Sequence, residues 1–522
     1  MTKQKNFLWG AFILGGAGVI SRVLGAVYRI PLARLIGDEG MGLYQMAYPI
    51  YTTILALATA GIPVAISILV ARKETQGYPG DSRRIFRVTL GLLLAIGTLF
   101  TGILFISAGP IARGVLGQPG AELAIIAISP AIFFAAMLSV FRGYFQGYQY
   151  MIPTAVSQVV EQIFRVTFIL ILSFALFKHG LEWAAAGATF GAVIGAAAGL
   201  VVLIGFYIAH LRHRRQYTDL PESGDSAWGL GTAVLALAVP VSLGAVVMPL
   251  VQMLDAALVP RQLIVGGFSG QEARALFGQL SGMASVLVNL PMIFTVAIGT
   301  SLVPSISEAL AKRNHEVMQD RVNNAIRVAL IIAMPAAVGL FVLAYPICGL
   351  LFDSWEAGMS LKYLSMAVIS LALFQITAAS LQGIGHPTYP MVHLLFTGAL
   401  KVGFNLTLTS IPSINIAGPA VGTVVAFLFG AMLNLIALWR FERISLDWLR
   451  VLKLGVLTGF MGLAAHASYQ ALVSHDLSSH IAVLAAICVG GAAYVGLLYI
   501  TGEFNLAAIK QALRGGNSEV IS

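Results

Sequence analysis

Residues 144–156 read YFQGYQYMIPTAV, and residues 380–392 read SLQGIGHPTYPMV. The offset is 236 residues; it places Gln146-Gly147 on Gln382-Gly383, and each stretch runs on into an apolar segment of helix length. Further blocks recur in the same order. GIPVAISILVARKETQG (61–77) is matched by GTSLVPSISEALAKRN (299–314), FRVTL (86–90) by IRVAL (326–330), and AAAGATFG (184–191) by NIAGPAVG (415–422). Four blocks in one order mark an internal duplication, and a duplicated chain is expected to fold as two related halves. The same offset carries Arg165 onto Lys401.

The solvent of these halves follows from composition. Of 522 residues, 58% are hydrophobic and 10% charged, against about 25% charged in soluble domains. Apolar segments of about 20 residues, the length a helix needs to cross hydrocarbon, recur about fourteen times between residues 7 and 501. The expected fold is therefore an all-α integral membrane protein. Six helices fall in residues 1–212 and six in 227–441, joined by the polar linker HRRQYTDLPESGDS (213–226); two more, with a tail, occupy 442–522. Six is even, so the halves share one orientation and are related by an axis along the membrane normal.

Basic residues set the orientation, because loops on the cytoplasmic side retain Lys and Arg. With a cytoplasmic N-terminus, the inner segments hold 21 basic residues and the outer ones six. The four left inside spans are Arg22, Arg29, Arg165 and Lys401. Both termini are thus expected in the cytoplasm. Lys3 and Lys5 precede an apolar run with no cleavage pattern, which reads as a retained first span. The net charge of +9 is spread over short loops, so it is a topology signal and not a nucleic-acid surface. Cys348 and Cys488 are too few and too far apart for a disulfide framework or a zinc site.

The first span, GGAGVISRVLGAVYRIPLARLIG (15–37), carries Arg22, Arg29 and Arg34. A guanidinium at the bilayer centre costs about 3 kcal/mol on insertion scales and cannot shed its proton, so such a charge marks a polar path. Arg22 and Arg29 stand two helical turns apart on one face, about 10 Å along the axis. Arg34, at the end of the span, is placed to snorkel to the outer interface; Arg29 can either line a cavity or snorkel. Glu161 and Arg165 are spaced four apart, as an ion pair within one helix. Lys401 has no carboxylate at that spacing and is either a second anion contact or a residue snorkelling between helices. Asp255 has no near partner in the sequence. His393 and His466 are isolated on apolar helices, where packed structural histidines are common. With no nucleotide-binding lysine loop, no His-Glu-x-x-His and no paired carboxylates in a polar setting, no enzyme is expected.

The blocks SRVLG (21–25), GIPVAIS (61–67), RGYFQG (142–147) and PTAVSQVVEQIFRV (153–166), with the repeat plan and two extra helices, resemble the polysaccharide-exporter branch of the MOP superfamily. The similarity is to the YtgP and SpoVB group, whose members act as MurJ-type lipid II flippases or in spore-cortex synthesis. The resemblance implies a MATE/MurJ-like fold in the cell membrane. It implies alternating access that moves an undecaprenyl-pyrophosphate-linked precursor for peptidoglycan, with spans 13 and 14 grooved for the polyprenyl tail. Arg22 would hold the pyrophosphate, with Arg29, Arg165 and Lys401 as further contacts. Partners are then the lipid-linked glycan pyrophosphate, the bilayer and, as a further candidate, cell-wall synthesis enzymes. No organic cofactor is implied. Sodium coupling is suggested at Asp255, Asn405 and Thr423, although Thr409 stands where the family carries a second carboxylate. The family's basic pair at the end of the second span is missing from YTTILALATAGIP (51–63). Other readings of the same pattern are an exporter of teichuronic-acid or capsule type, a spore-cortex precursor flippase, or a multidrug/cation antiporter.

Overall fold

The computed structural model describes the backbone of residues 2–214, 221–222, 224–444 and 446–503. The side chains of Lys3, Lys5 and Arg214, all of Arg215, Lys510 and Arg514, and linker residues 215–220 and 223 lie outside the described residues. The described chain is helical: α1 (Thr2–Val27), α2 (Arg29–Thr59), α3 (Ile62–Thr75), α4 (Pro79–Pro110), α5 (Glu122–Ile128), α6 (Pro130–Gly147), α7 (Ile152–Phe177) and α8 (Leu181–Arg214). There follow α9 (Ala227–Val265), α10 (Gly270–Phe277), α11 (Ser285–Ala311), α12 (His315–Val342), α13 (Ala344–Phe352) and α14 (Ala357–Leu364). Last come α15 (Ala367–Gly383), α16 (Thr388–Leu408), α17 (Ala417–Glu442), α18 (Trp448–Ser474) and α19 (Ser479–Ile500).

Among the described residues 12 helical runs are long and apolar enough to cross a membrane, or 13 when α14 and α15, bent by 42°, make one span. The difference from fourteen lies in Ile13–Thr75, counted once although it has 63 residues, about three times the length that spans hydrocarbon. Gly37 breaks that run with φ 66° and ψ −174°, a conformation that only glycine adopts without strain.

The helices sort into two compact units. The first holds residues 1–286 with 391–422, and the second 287–390 with 423–522. These units do not coincide with the lobes drawn from the repeat at 1–212 and 227–441, because α9 and α16 pack into the first unit. Two main-chain approaches hold α9 and α10 in this unit. A Cβ at Gly61 would stand 2.0 Å from the Ala238 carbonyl oxygen on α9, and one at Gly42 would stand 2.2 Å from that of Arg274 on α10.

The motifs quoted from the sequence are seats for these approaches. On α6, a Cβ at Gly143 would meet Pro63 Cα at 2.8 Å and one at Gly147 would meet Val70 Cβ at 2.6 Å, so RGYFQG lies flush on GIPVAIS. Tyr144 fills the gap beside Phe86 and Tyr207. Along α8, Gly187, Gly191, Gly195 and Gly199 recur every four residues and sit against Leu172, Ile169, Arg165 and Glu161 of α7, the small-residue stripe that lets membrane helices approach. The duplication reproduces the seats. A Cβ at Gly383 would meet Ile306 at 2.9 Å as one at Gly147 would meet Val70, and a Cβ at Gly418 would stand 2.9 Å from Leu408 as one at Gly187 would stand 2.8 Å from Leu172.

The second unit centres on Ile306, Met318, Val322, Ile326, Ile376 and Leu438, packed with Leu454 of α18 and Leu498 of α19. Beside it, α11, α12, α18 and α19 line an apolar groove of about 350 Å³ that includes Leu290, Pro291, Pro335, Gly339, Met461 and Gly490. Pro291 and Pro335 lie inside their helices, where a proline removes a main-chain hydrogen bond and bends the helix. The end of α19 is fixed by Glu503, whose carboxylate meets Arg327 at 2.9 Å, Lys453 at 3.0 Å and Arg450 at 3.5 Å. Burial raises the Glu503 pKa, but the three cations outweigh it and hold the group below its ordinary value. A depressed carboxylate contributes stability that is complete above its unfolded pKa and is lost as pH falls through the folded one. Acidification below about pH 4 is therefore expected to loosen this end of the chain, seen as faster amide exchange at Thr501 and Gly502. Glu503→Gln should give the loosened state at neutral pH.

Candidate functional site

In the first unit, α1 lies along α7. Gln162 Nε2 donates to the Ser21 carbonyl at 3.3 Å, and this contact brings the arginine-bearing end of the first span beside Glu161 and Arg165. Arg22 is exposed and, among the described residues, makes no hydrogen bond or ion pair. Arg29 is half-buried, with its Nε enclosed and without a partner. It lies within electrostatic reach of Tyr28, Tyr44 and Tyr48. Arg34 is exposed.

The tyrosines come from one helix face. Tyr44, Tyr48 and Tyr51 follow at spacings of four and three on α2, with ring centroids 5.8 Å and 5.9 Å apart. Tyr28 and Tyr44 share a buried hydroxyl hydrogen bond of 2.7 Å. Arg165 is likewise within electrostatic reach of Tyr28, Tyr48 and Tyr51. Two guanidiniums thus share a hydroxyl-bearing aromatic neighbourhood.

The carboxylate that offsets this charge is Glu161. One oxygen accepts from Arg165 Nη2 at 2.5 Å and the other from Arg142 Nη2 at 2.8 Å. Arg142 Nε also donates to Ser157 Oγ at 3.2 Å. Arg142, one of the 21 basic residues of the inner segments, is therefore a residue of α6 with a structural partner. Two guanidiniums on one carboxylate leave a net positive charge. Arg165 Nε, like Arg29 Nε, is buried with no acceptor, and an arginine donor left open in low dielectric favours an anion.

Lys401 is set apart from this cluster. Its ammonium bonds Asp255 Oδ2 on α9, and Asn405 Nδ2 donates to Asp255 Oδ1 at 2.7 Å. The aspartate that has no near partner in the sequence is thus paired across helices. Lys401, expected as an anion contact or a snorkelling residue, is instead a largely buried ion-pair partner. Asp255 and Asn405 meet, while Thr423 lies in the second unit, half-buried. Sequence reading missed the tyrosines and Arg142; the Tyr44, Tyr48, Tyr51 spacing in GLYQMAYPIY (42–51) was the available signal.

A helical membrane protein with duplicated halves and an arginine-lined polar interior defines a class, the multi-pass transporters that carry polar cargo through lipid. The polysaccharide biosynthesis protein family matches residues 7–310, and the MatE family matches residues 262–407. The chain belongs to the polysaccharide biosynthesis protein family, in the flippase and exporter group of the MOP superfamily, and is not an enzyme. It is 30% identical to the lipid II flippase MurJ of Bacillus subtilis (strain 168), over 96% of each chain. It is also 30% identical to the stage V sporulation protein B of the same organism, over 93% of this chain and 95% of that one. Among solved structures it is similar to the lipid II flippase MurJ in an inward closed conformation, with TM-score 0.70, 15% identity and coverage of 94% of this chain and 98% of that one. An inward-facing multidrug MATE transporter aligns with TM-score 0.65 at 19% identity, over 83% of this chain and 95% of that one. At such identity these two likenesses concern the fold.

Proposed function

We propose that the chain is a flippase that moves an undecaprenyl-pyrophosphate-linked cell-wall precursor, lipid II, to the outer leaflet by alternating access. The observation that carries the reading is the pair of buried, acceptor-free guanidinium nitrogens on Arg29 and Arg165, a match for the oxygens of a pyrophosphate. The apolar groove beside α18 and α19 suits a polyprenyl chain, which gains from leaving no apolar void. Positive-inside asymmetry supports cytoplasmic termini. Driving force then comes from the membrane potential, worth about 2.3 kcal/mol per charge per 100 mV, or from an ion gradient. A cation exporter is disfavoured because Glu161 and Asp255 are both neutralised by basic side chains. A precursor for spore cortex would use the same contacts, and the similarity to stage V sporulation protein B favours it as the second reading.

The test is replacement of a host's own lipid II flippase. The wild-type chain should restore growth, while Arg29→Ala and Arg165→Ala should lose it at unchanged membrane levels. Arg22→Ala, at an exposed position, should have the smaller effect. Failure of the folded wild-type chain to rescue would overturn the lipid II assignment, and rescue by Arg29→Ala with Arg165→Ala together would remove the anion-contact role.

A further inference from the structure

We infer that the Lys401 ammonium is the resident cation of the Asp255 site, so that the site takes up no metal ion while the lysine is present. Asp255 and Asn405 meet in the first unit, and Thr409, four residues after Asn405, adds a buried hydroxyl next in the chain. Asn405 lies in the last turn of α16 and Thr409 directly follows its end, and both are fully buried. Asn405 Oδ1 and Thr409 Oγ1 have no hydrogen-bond partner. Such a set of enclosed oxygens suits a hard monovalent cation, and the resemblance assigns sodium to these helices.

The residues do not fit that ion as they stand. Lys401 bonds one oxygen of Asp255 and Asn405 Nδ2 bonds the other, so the formal charge of the site is zero before any ion arrives. Thr409 supplies no second carboxylate. A tethered ammonium beside the carboxylate also repels a second cation in a setting where water screens little. The lysine side chain therefore does within the chain what a bound ion would do from solution.

Removal of the ammonium should expose the site. The full-length protein in detergent is heated in sodium chloride and in choline chloride of equal ionic strength. The wild type is expected to melt at the same temperature in both. Lys401→Met should gain a saturable, sodium-specific rise of about 1–2 °C when sodium reaches roughly ten times its dissociation constant, and Lys401→Met with Asp255→Asn should lose it. Lys401→Gln, which keeps a hydrogen bond to Asp255, carries the same arm if the methionine variant does not accumulate. A sodium-specific rise in the wild type that disappears in Asp255→Asn overturns the inference, as does a folded Lys401→Met that ignores sodium. The wild-type arm decides alone if neither lysine variant folds.

Discussion

Glu161→Gln is expected to cost about 3–5 kcal/mol, the range for a buried ion pair that loses one partner, and to remove most of the folded protein from membranes. Glu161 is the carboxylate for both Arg142 and Arg165, at 2.8 Å and 2.5 Å, and neither arginine can discharge by losing a proton. The amide would accept one hydrogen bond but leave two positive charges in low dielectric. Glu161→Asp should fold poorly but measurably, since its shorter reach can still meet one guanidinium. The sharper comparison is a triple variant, Arg142→Leu with Glu161→Leu and Arg165→Leu. Replacing a whole buried charge set by apolar residues is often neutral or stabilising, so folded yield in size-exclusion profiles should recover while growth rescue does not. Recovery of both would mean that Arg165 serves Glu161 alone and has no part in transport.

The second large effect is expected at Gly61. A methyl group there would sit 2.0 Å from the Ala238 carbonyl oxygen, and a main-chain atom cannot swing away as a side chain can. The residue also donates its N–H to Ser242 Oγ at 3.0 Å. Gly61→Ala must push α3 away from α9, and the expected loss is at or above the roughly 3 kcal/mol upper range for overpacking, read as a fall in melting temperature and in yield. Ser242→Ala, which removes only the hydrogen bond, should cost about 1 kcal/mol. Gly91→Ala and Gly205→Ala are the controls. Nothing lies within 4 Å of a Cβ at either position, so better helix propensity should make them neutral or mildly stabilising.

Much of this architecture was legible because lipid leaves few choices: apolar segments of spanning length must be helices, and repeated blocks must be repeated packing. RGYFQG and GIPVAIS stood out as separate blocks, and their packing against each other through Gly143 and Gly147 came only from the structure. The candidate site was less legible. Arg22 and Arg29 share a helical face by spacing, yet Arg22 lies on α1 and Arg29 opens α2, and only Arg29 is half enclosed. The tyrosine wall left no charge to notice. Asp255 and Lys401 are 146 residues apart, and a contact of that range carries no periodic signature in a single sequence.

The matched glycine seats also bear on how the two halves can change from here. An exchange of α7 and α16 sequences would keep one seat, since Leu172 faces Gly187 and Leu408 faces Gly418, and lose the next, since Gly191 meets Ile169 and Gly422 meets Phe404. The charges would not tolerate it. At an offset of 236 residues, Glu161 would arrive at position 397, now Thr397, on the helix that already meets Asp255. The duplication thus persists in the matched glycine seats, while the ionic pairings of the two copies have diverged.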